Sequence, residues 1–249
     1  AKTIRKKRIN SGAIIFDKSE IKFKLDEKNN PKEVVFKTAK SANKLIEEFM
    51  LLANKKVAEK MKKVKERFVF RVHDQPDEEK LKNLQTVVKR MGYNLDLKKN
   101  NLNDSLNTLL ENTFGKNEQN LIDTLMIRSM SKAEYTTKNI GHYGLAFDNY
   151  THFTSPIRRY PDVMVHRLIE AELKKEKIKT EELETLCNHS THMEILATKA
   201  ERDSIKLMQI KYMQDKEGKI FEAVISGVTA RGVFVEVVEN KCEGLVKAK

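Results

Sequence analysis

Hydrophobic residues along this chain change from a strand-like to a helical spacing and back again, which limits the fold to a mixture of sheet and helix. Apolar and polar residues alternate over Gly12–Leu25, and a second β-rich run, Val34–Lys37, follows the turn residues Asn29–Pro31. Two such runs around a short turn predict an antiparallel hairpin. The basic residues Lys2–Arg8 are interpreted as an arm that precedes this hairpin.

A long helical stripe follows the hairpin. From Ser41 onward, apolar residues recur at positions 42, 45, 46, 49, 53, 57, 61 and 64, which predicts one amphipathic helix over 41–66. A short strand is predicted over 68–72, and further helices over 75–91, 101–112, 118–130, 161–177 and 180–214, the last either as one helix or as two. The segment 141–150 is rich in glycine and aromatic residues and is not expected to lie within a long helix.

The pattern changes near Gly218, where short strand-like runs replace the helical stripes. Strands are predicted over 220–227, 232–238 and 244–246, so a domain boundary is expected between 1–217 and 218–249. The predicted fold class is α+β: a hairpin with packed helices, followed by a small all-β part. Because the chain starts at Ala1 and stops at Lys249 inside a strand-like pattern, we expect a fragment of a longer polypeptide.

Charge and cysteine usage narrow the class of partner and the compartment. Lys and Arg outnumber Asp and Glu by 48 to 36, a net charge of +12, and nucleic acid is the commonest partner of so basic a chain. A basic but solvated surface explains the same composition almost equally well. The longest apolar run, Phe49–Ala53, is far shorter than the about 20 residues of a membrane span. The two cysteines lack metal or disulfide-scaffold spacing, which predicts a reducing, cytoplasmic location.

The segment 141–162 is the densest in candidate functional residues. Ser155 and Pro156 fit an N-cap followed by proline at the first helical position, and Pro161 must interrupt or restart that helix. Arg158 and Arg159 would then lie beside free backbone N–H groups, where a guanidinium can bind two phosphate oxygens. An equally good interpretation is that the arginines bind a nearby carboxylate and brace the start of the helix.

Two runs in this segment carry a family resemblance. His142–Ala146 (His-Tyr-Gly-Leu-Ala) and Thr154–Asp162 (Thr-Ser-Pro-Ile-Arg-Arg-Tyr-Pro-Asp) resemble the ribonuclease R/ribonuclease II (RNB) family, and the agreement extends to Leu45–Met50, Arg71–Asp74 and Ala200–Asp203. Within the family, 160–162 is closer to ribonuclease R. The resemblance implies the C-terminal half of an RNB catalytic domain over 1–217 and the start of an incomplete OB-fold RNA-binding domain over 218–249.

The resemblance also implies an activity. Members are processive, magnesium-dependent hydrolases that remove nucleotides from the 3′ end of RNA as nucleoside 5′-monophosphates, so single-stranded RNA is the expected partner and Mg²⁺ the expected cofactor of the complete enzyme. The clustered aspartates that hold the metal in this family have no match in 1–249, so no metal ligand is assigned and the chain alone is expected to be inactive. The alternative is a non-catalytic RNA-binding protein with the same fold.

Two residues match catalytic positions of the family. Arg158 matches the arginine at the scissile phosphate, where it would neutralise charge that develops in the transition state. Glu201 matches the active-site glutamate, and a helical wheel puts it on the apolar side of its helix. A carboxylate there needs a partner, for which Arg158 is the natural candidate. A purely structural ion pair is the competing interpretation.

Other matches concern RNA binding rather than chemistry. Glu47 matches a residue that contacts the terminal nucleotides through ribose hydroxyls, and it borders the apolar stripe, whereas Glu48 lies opposite and is expected to be solvated. Phe16 matches an aromatic residue that stacks on the last bases, although from the sequence alone an ordinary core phenylalanine in a strand is the preferred interpretation. Ser155 and Arg159 belong to the same RNA-binding motif as Arg158.

The OB-like tail departs from the family pattern. Arg231 and Lys247 stand where the family often carries an aromatic residue and a histidine, while Phe234 is retained. RNA binding by this tail is therefore expected to depend more on phosphate contacts and less on stacking, with greater sensitivity to salt.

Overall fold

A computed structural model describes residues 1–15, 20–64, 67–98, 102–177 and 179–247. Helices and short antiparallel sheets alternate along them, which confirms the α+β class. In chain order the elements are α1 (Lys2–Asn10), β1 (Glu20–Leu25), β2 (Pro31–Lys37), α2 (Ser41–Val64), β3 (Phe70–His73), α3 (Glu78–Arg90), α4 (Leu102–Thr113), α5 (Gln119–Ser129), β4 (Ala133–Thr136), α6 (Tyr160–Lys174), α7 (Leu183–Gln214), β5 (Ala223–Thr229), β6 (Gly232–Val237) and β7 (Glu243–Lys247).

These elements form two compact units. The first unit comprises 1–15, 40–77 and 130–197, and the second comprises the described parts of 16–39, 78–129 and 198–249. Helix α7 contributes residues to both. None of the helices in the described ranges is both long enough and apolar enough to cross a bilayer.

The core of the first unit is built around strand β3. Its alternate residues Phe70 and Val72 are buried, together with apolar side chains of α2, α6 and α7. One edge of β3 pairs antiparallel with β4, and the other bonds to the segment 141–150, with Arg71 N donating to the carbonyl of Tyr150 at 2.9 Å. The strand therefore holds the motif-bearing segment directly against the core.

In the second unit, helix α5 contacts both α3 and α4 around a core of leucine, isoleucine and methionine side chains. The hairpin β1–β2 has Ile21 opposite Phe36, and the three-stranded antiparallel sheet has the order β5-β6-β7. This sheet does not close into a barrel within the described residues. The OB-fold and the boundary at 218 remain predictions.

Most predicted elements are confirmed within a few residues. The first run of the hairpin is shorter than predicted, because strand β1 begins at Glu20 and residues 12–15 form no strand. The prediction of a basic arm over Lys2–Arg8 is wrong. These residues form helix α1, and its Arg8 donates to the buried carboxylate of Glu48 on α2. Strand β4 was not predicted, since four residues carry too little periodicity. Helix α7 is continuous over 32 residues. Ser155 does not cap a helix, because Ser155–Arg158 form a turn and α6 begins at Tyr160.

Candidate nucleic-acid interface

An open cleft of about 440 Å³ lies in the first unit between α2 and the segment Tyr150–Arg159. That volume falls within the about 300–1,000 Å³ of ordinary ligand pockets. One helical face of α2 supplies one wall, because its lining residues recur every three or four positions. The lining residues are Ala42, Asn43, Ile46, Glu47, Met50, Leu51 and Asn54 from α2, and Tyr150, Thr154 and Arg159 from the opposite wall.

Glu47 faces this cleft and keeps its carboxylate accessible. Its side chain is 49% exposed, and its oxygens lie 3.8 Å from the guanidinium nitrogens of Arg5 and Arg8. A half-exposed carboxylate can accept hydrogen bonds from ribose hydroxyls that enter the cleft. The structure therefore places Glu47 where the role expected of it is possible.

The expectation for the neighbouring Glu48 is wrong. Instead of being solvated, Glu48 is 1% exposed and accepts hydrogen bonds from Arg8, at 2.5 Å from Nη2 to Oε1 and 3.3 Å from Nε to Oε2. Helix α1, which the sequence did not predict, provides this arginine. The pair joins α1 to the helix that forms one wall of the cleft.

Arg159 braces the opposite wall. Its Nη2 and Nε lie 2.9 Å from Oδ1 and Oδ2 of Asp162, a residue with no exposed surface, and Ser155 N donates to the same carboxylate at 2.7 Å. This is the carboxylate-bracing interpretation of the arginine pair. Arg159 nevertheless lines the cleft, so it combines a structural ion pair with a surface that faces the cleft.

Arg158 differs from Arg159 both in its exposure and in its partners. Its side chain is exposed, and within the described residues of its unit the guanidinium makes no ion pair and no hydrogen bond. Its backbone N–H donates to the carbonyl of Ser155 at 3.3 Å, which fixes it at the end of the turn before α6. Arg159 thus fits the interpretation in which an arginine binds a nearby carboxylate. Arg158 has no such partner among the described residues of its unit and remains available to an anion.

Buried aromatic and histidine rings support the wall behind Arg159. The Tyr150 ring meets those of His142 and His152 edge to face, with centroids 5.3 and 5.6 Å apart. The Tyr135 hydroxyl oxygen lies 2.7 Å from His152 Nδ1, and burial raises the pKa of Tyr135 to about 12. Arg71 lies 4.6 Å over the Tyr135 ring and forms a bidentate ion pair with Glu194.

His73 connects this cluster to the backbone. Gly144 N donates to its Nδ1 at 2.9 Å, and its Nε2 donates to the carbonyl of Ser131 at 2.9 Å, which specifies the neutral ring. A Cβ added at Gly144 would lie 3.1 Å from Nδ1, so a larger residue would press on the His73 ring. Burial lowers the pKa of His73, which agrees with the neutral form.

We expect the stability of the protein to fall between pH 7 and pH 5.5. Burial, with nearby cations, lowers the pKa of His142 to about 3 and that of His152 to about 2. The unfolded chain binds protons at these histidines below about pH 6.5 while the folded chain does not, so acid favours unfolding by about 1 kcal/mol for each by pH 5.5. Carboxylates ionise mostly below this window.

Urea denaturation at several pH values measures this effect. Replacing His142 by asparagine should remove about a third to a half of the pH dependence, because burial lowers the pKa of His73 and His152 as well. The same change at His189, which is exposed on α7, is the control for losing a histidine. A free energy of unfolding that stays constant from pH 7 to pH 5.5 would contradict the neutral, buried histidines.

The remaining predicted residues lie in the second unit or outside the described residues. Glu201 is exposed, as is every residue over 195–204 of α7, so its catalytic role stays a prediction. The ion pair between Arg158 and Glu201 would join the two units and stays a prediction. Phe16 lies outside the described residues.

The three-stranded sheet brings two of the tail residues to one end. Lys247 pairs with Gly232, which directly follows Arg231 in the turn between β5 and β6, and both basic side chains are exposed. Phe234 lies half-buried opposite Leu245. This sheet end therefore presents two exposed cations, whereas the phenylalanine is only partly accessible, and the RNA-binding role of all three stays a prediction.

The described residues do not fit a magnesium site. Among them, no group of three or more histidine, cysteine, aspartate or glutamate side chains is arranged to hold a metal ion. No metal ligand is assigned to this chain.

Sequence reasoning missed the residues that hold the cleft together. Asn54, Tyr150 and Asp162 make its key hydrogen bonds, yet only Asp162 carried a local signal, as an acid three positions after an arginine. The density of aromatic and histidine residues over 142–154 was a further signal. It indicated a candidate functional segment but not which residues hydrogen-bond to each other.

The sequence of this chain matches a known domain family and named relatives. The RNB domain matches residues 1–175. Ribonuclease R of Aquifex aeolicus is 38% identical over 248 residues, which covers 98% of this chain and 35% of that protein. The chain therefore spans about a third of the length of this curated relative.

Solved structures with the same fold include an RNA complex. The structure of Mycoplasma genitalium RNase R in complex with ribose-methylated single-stranded RNA has a TM-score of 0.92 and 27% identity, and the match covers 99% of this chain and 40% of that one. Yeast Ssd1, described as a pseudonuclease, shares the fold alone, with a TM-score of 0.67, 24% identity, and coverage of 82% of this chain and 26% of its own. The RNB domain match covers most of the sequence, including both walls of the cleft, and this chain therefore belongs to the RNB domain family.

Proposed function

We propose that this chain forms the RNA-binding wall of the active site in a 3′-to-5′ exoribonuclease that degrades single-stranded RNA to nucleoside 5′-monophosphates. The observation that carries the proposal is the contrast between Arg158 and Arg159: one guanidinium is neutralised by a buried aspartate, and the adjacent one is exposed and unpaired in its unit. An arginine kept free beside a cleft of nucleotide size is suited to a phosphate.

The chemistry of the cleft fits the end of an RNA strand. Glu47 repels phosphate but accepts hydrogen bonds from hydroxyls, so it favours a ribose at its position and leaves the phosphate to Arg158. In this proposal Arg158 neutralises the charge that develops on the phosphoryl oxygens during cleavage. A relative bound to ribose-methylated single-stranded RNA supports the choice of ligand.

We further propose that the chain alone does not degrade RNA. An arginine stabilises charge but generates no nucleophile, and the described residues do not supply a metal site. The complete protein, of which this chain is about a third by comparison with its relatives, would supply magnesium ligands and use Glu201 as a further catalytic residue. Both cysteines are free and buried, which suits a cytoplasmic enzyme.

A non-catalytic RNA-binding protein is the second candidate. Two observations support this candidate. A pseudonuclease has the same fold, and the described residues contain no metal site. The two candidates differ in one measurement, because only the first predicts magnesium-dependent release of nucleotides by the complete protein.

RNA binding by the isolated chain is expected to be weak, insensitive to sequence and strongly dependent on salt. The net charge of +12 and the exposed basic residues Arg158, Arg231 and Lys247 favour phosphate contacts over base readout. With about three neutralised phosphates, affinity for a single strand should fall more than about tenfold between 50 and 200 mM salt.

Titration of fluorescent single-stranded RNAs of different sequence at several salt concentrations measures this dependence. Arg158→Ala should reduce the slope of log affinity against log salt by about 0.7, the share of one phosphate on a single strand. An affinity that does not change with salt would overturn the assignment of phosphate contacts as the main source of binding.

A further inference from the structure

The side-chain amide of Asn54 is buried in the cleft wall and has no role in the function proposed above. Asn54 lies on α2, two helical turns after Glu47 and on the same face, and it is 3% exposed. A buried amide is costly to keep unless both its donor and its acceptor are satisfied. Its partners therefore indicate what this residue does.

Both partners lie on the opposite wall, nearly a hundred residues away in sequence. Asn54 Nδ2 donates to the Tyr150 hydroxyl oxygen at 3.0 Å, and its Oδ1 accepts from Phe153 N at 3.0 Å. The two bonds use opposite ends of the amide, so they set its orientation. Asn54 thus ties α2 to the segment that leads to Arg158.

The same segment is held from its other side by α6. The Phe153 ring stacks on His166 with centroids 4.3 Å apart and planes at 14°, and His166 Nε2 donates to the Phe153 carbonyl at 2.8 Å. Two residues later, the Ser155 carbonyl accepts from the backbone N–H of Arg158 and Arg159. A shift of Phe153 would therefore be transmitted to Arg158 through a short, hydrogen-bonded stretch.

We propose that Asn54 is a positioning residue: it fixes the backbone of Phe153–Ser155 and thereby sets where Arg158 meets the phosphate. The inference rests on the proposed function, since it concerns the placement of Arg158 in that reaction. A displacement of about 1 Å in a catalytic group can lower a rate about a hundredfold. Because Asn54 does not itself bind the phosphate, its loss should affect turnover more than affinity.

Four substitutions in the complete protein separate positioning from packing. Asn54→Ala removes both bonds, and Asn54→Leu removes them while keeping the shape. Asn54→Asp keeps the acceptor for Phe153 N and reverses the other bond, because the Tyr150 hydroxyl, whose pKa is raised by burial, can donate to the new carboxylate. Asn188→Ala, an exposed position on α7, is the control for losing an asparagine in this unit.

The readouts are the single-turnover rate of RNA degradation and the dissociation constant for the same RNA. Asn54→Ala and Asn54→Leu should lower the rate about tenfold to a hundredfold. Their dissociation constants should change less than about threefold, while Asn54→Asp recovers most of the rate. An unchanged rate in Asn54→Leu, or a loss confined to binding, would overturn the inference.

Hydrogen exchange in the chain described here tests the contact without relying on activity. The Phe153 amide loses its acceptor in the alanine and leucine variants, so it should exchange faster there and at the original rate in Asn54→Asp. Equal exchange in all variants would overturn the positioning role. If the unmodified complete protein released no nucleotides, the proposed function would fall, while exchange would still decide whether Asn54 holds the segment.

Discussion

Replacing Glu48 by glutamine is expected to destabilise the protein by about 3–5 kcal/mol, the cost of breaking a buried ion pair on one side. The side chains of Glu48 and Arg8 are only 1% and 5% exposed, so the remaining guanidinium would lose its close partner without recovering its hydration, and the half-exposed Glu47, 3.8 Å away, would replace that partner only in part. The loss should appear in urea denaturation of the chain as a lower midpoint with a similar slope.

Two variants separate the buried pair from other effects. Glu47→Gln changes the adjacent, half-exposed carboxylate and should cost less than about 1 kcal/mol. The double variant Arg8→Met with Glu48→Leu replaces the pair by apolar side chains and should recover most of the stability lost in Glu48→Gln. Equal losses in Glu47→Gln and Glu48→Gln would contradict the distinction that the structure draws between them.

The fold could be predicted wherever a single element carries its own periodic signal. Helix α2 has an apolar stripe over its whole length, and the hairpin β1–β2 has alternating runs around a turn. Helix α1 and strand β4 have no such signal: α1 is mostly basic, and its place depends on Glu48, forty residues away. Strand β4 is defined by its pairing with β3, about sixty residues earlier.

For the site, the sequence indicated the segment 141–162. It did not show which of two adjacent charged residues has a structural partner and which stays exposed. Arg158 and Arg159 are chemically identical neighbours, and only the direction of α6 decides that Arg159 meets Asp162. Glu47 and Glu48 pose the same problem on α2, where the partner comes from a distant helix. Asn54 could not be recognised from the sequence, because its two partners lie 96 and 99 residues away.

Arg158→Ala in the complete protein is expected to lower the rate of RNA degradation about a hundredfold to a thousandfold, the usual cost of losing one donor to developing charge. The dissociation constant for RNA should change far less, since this contact strengthens in the transition state. Arg158→Lys should restore little of the rate, because an ammonium cannot bind two phosphate oxygens in the geometry of a guanidinium.

The most direct measurement is a single-turnover assay with 3′-labelled single-stranded RNA, saturating complete protein and magnesium. Arg167→Ala, which removes an exposed arginine from the following helix α6, is the matched control. The proposed function predicts release of labelled nucleotide by the unmodified protein and by the control, and a rate lower by at least about a hundredfold in Arg158→Ala. Release by Arg158→Ala at the unmodified rate would contradict the assignment of Arg158 to the scissile phosphate.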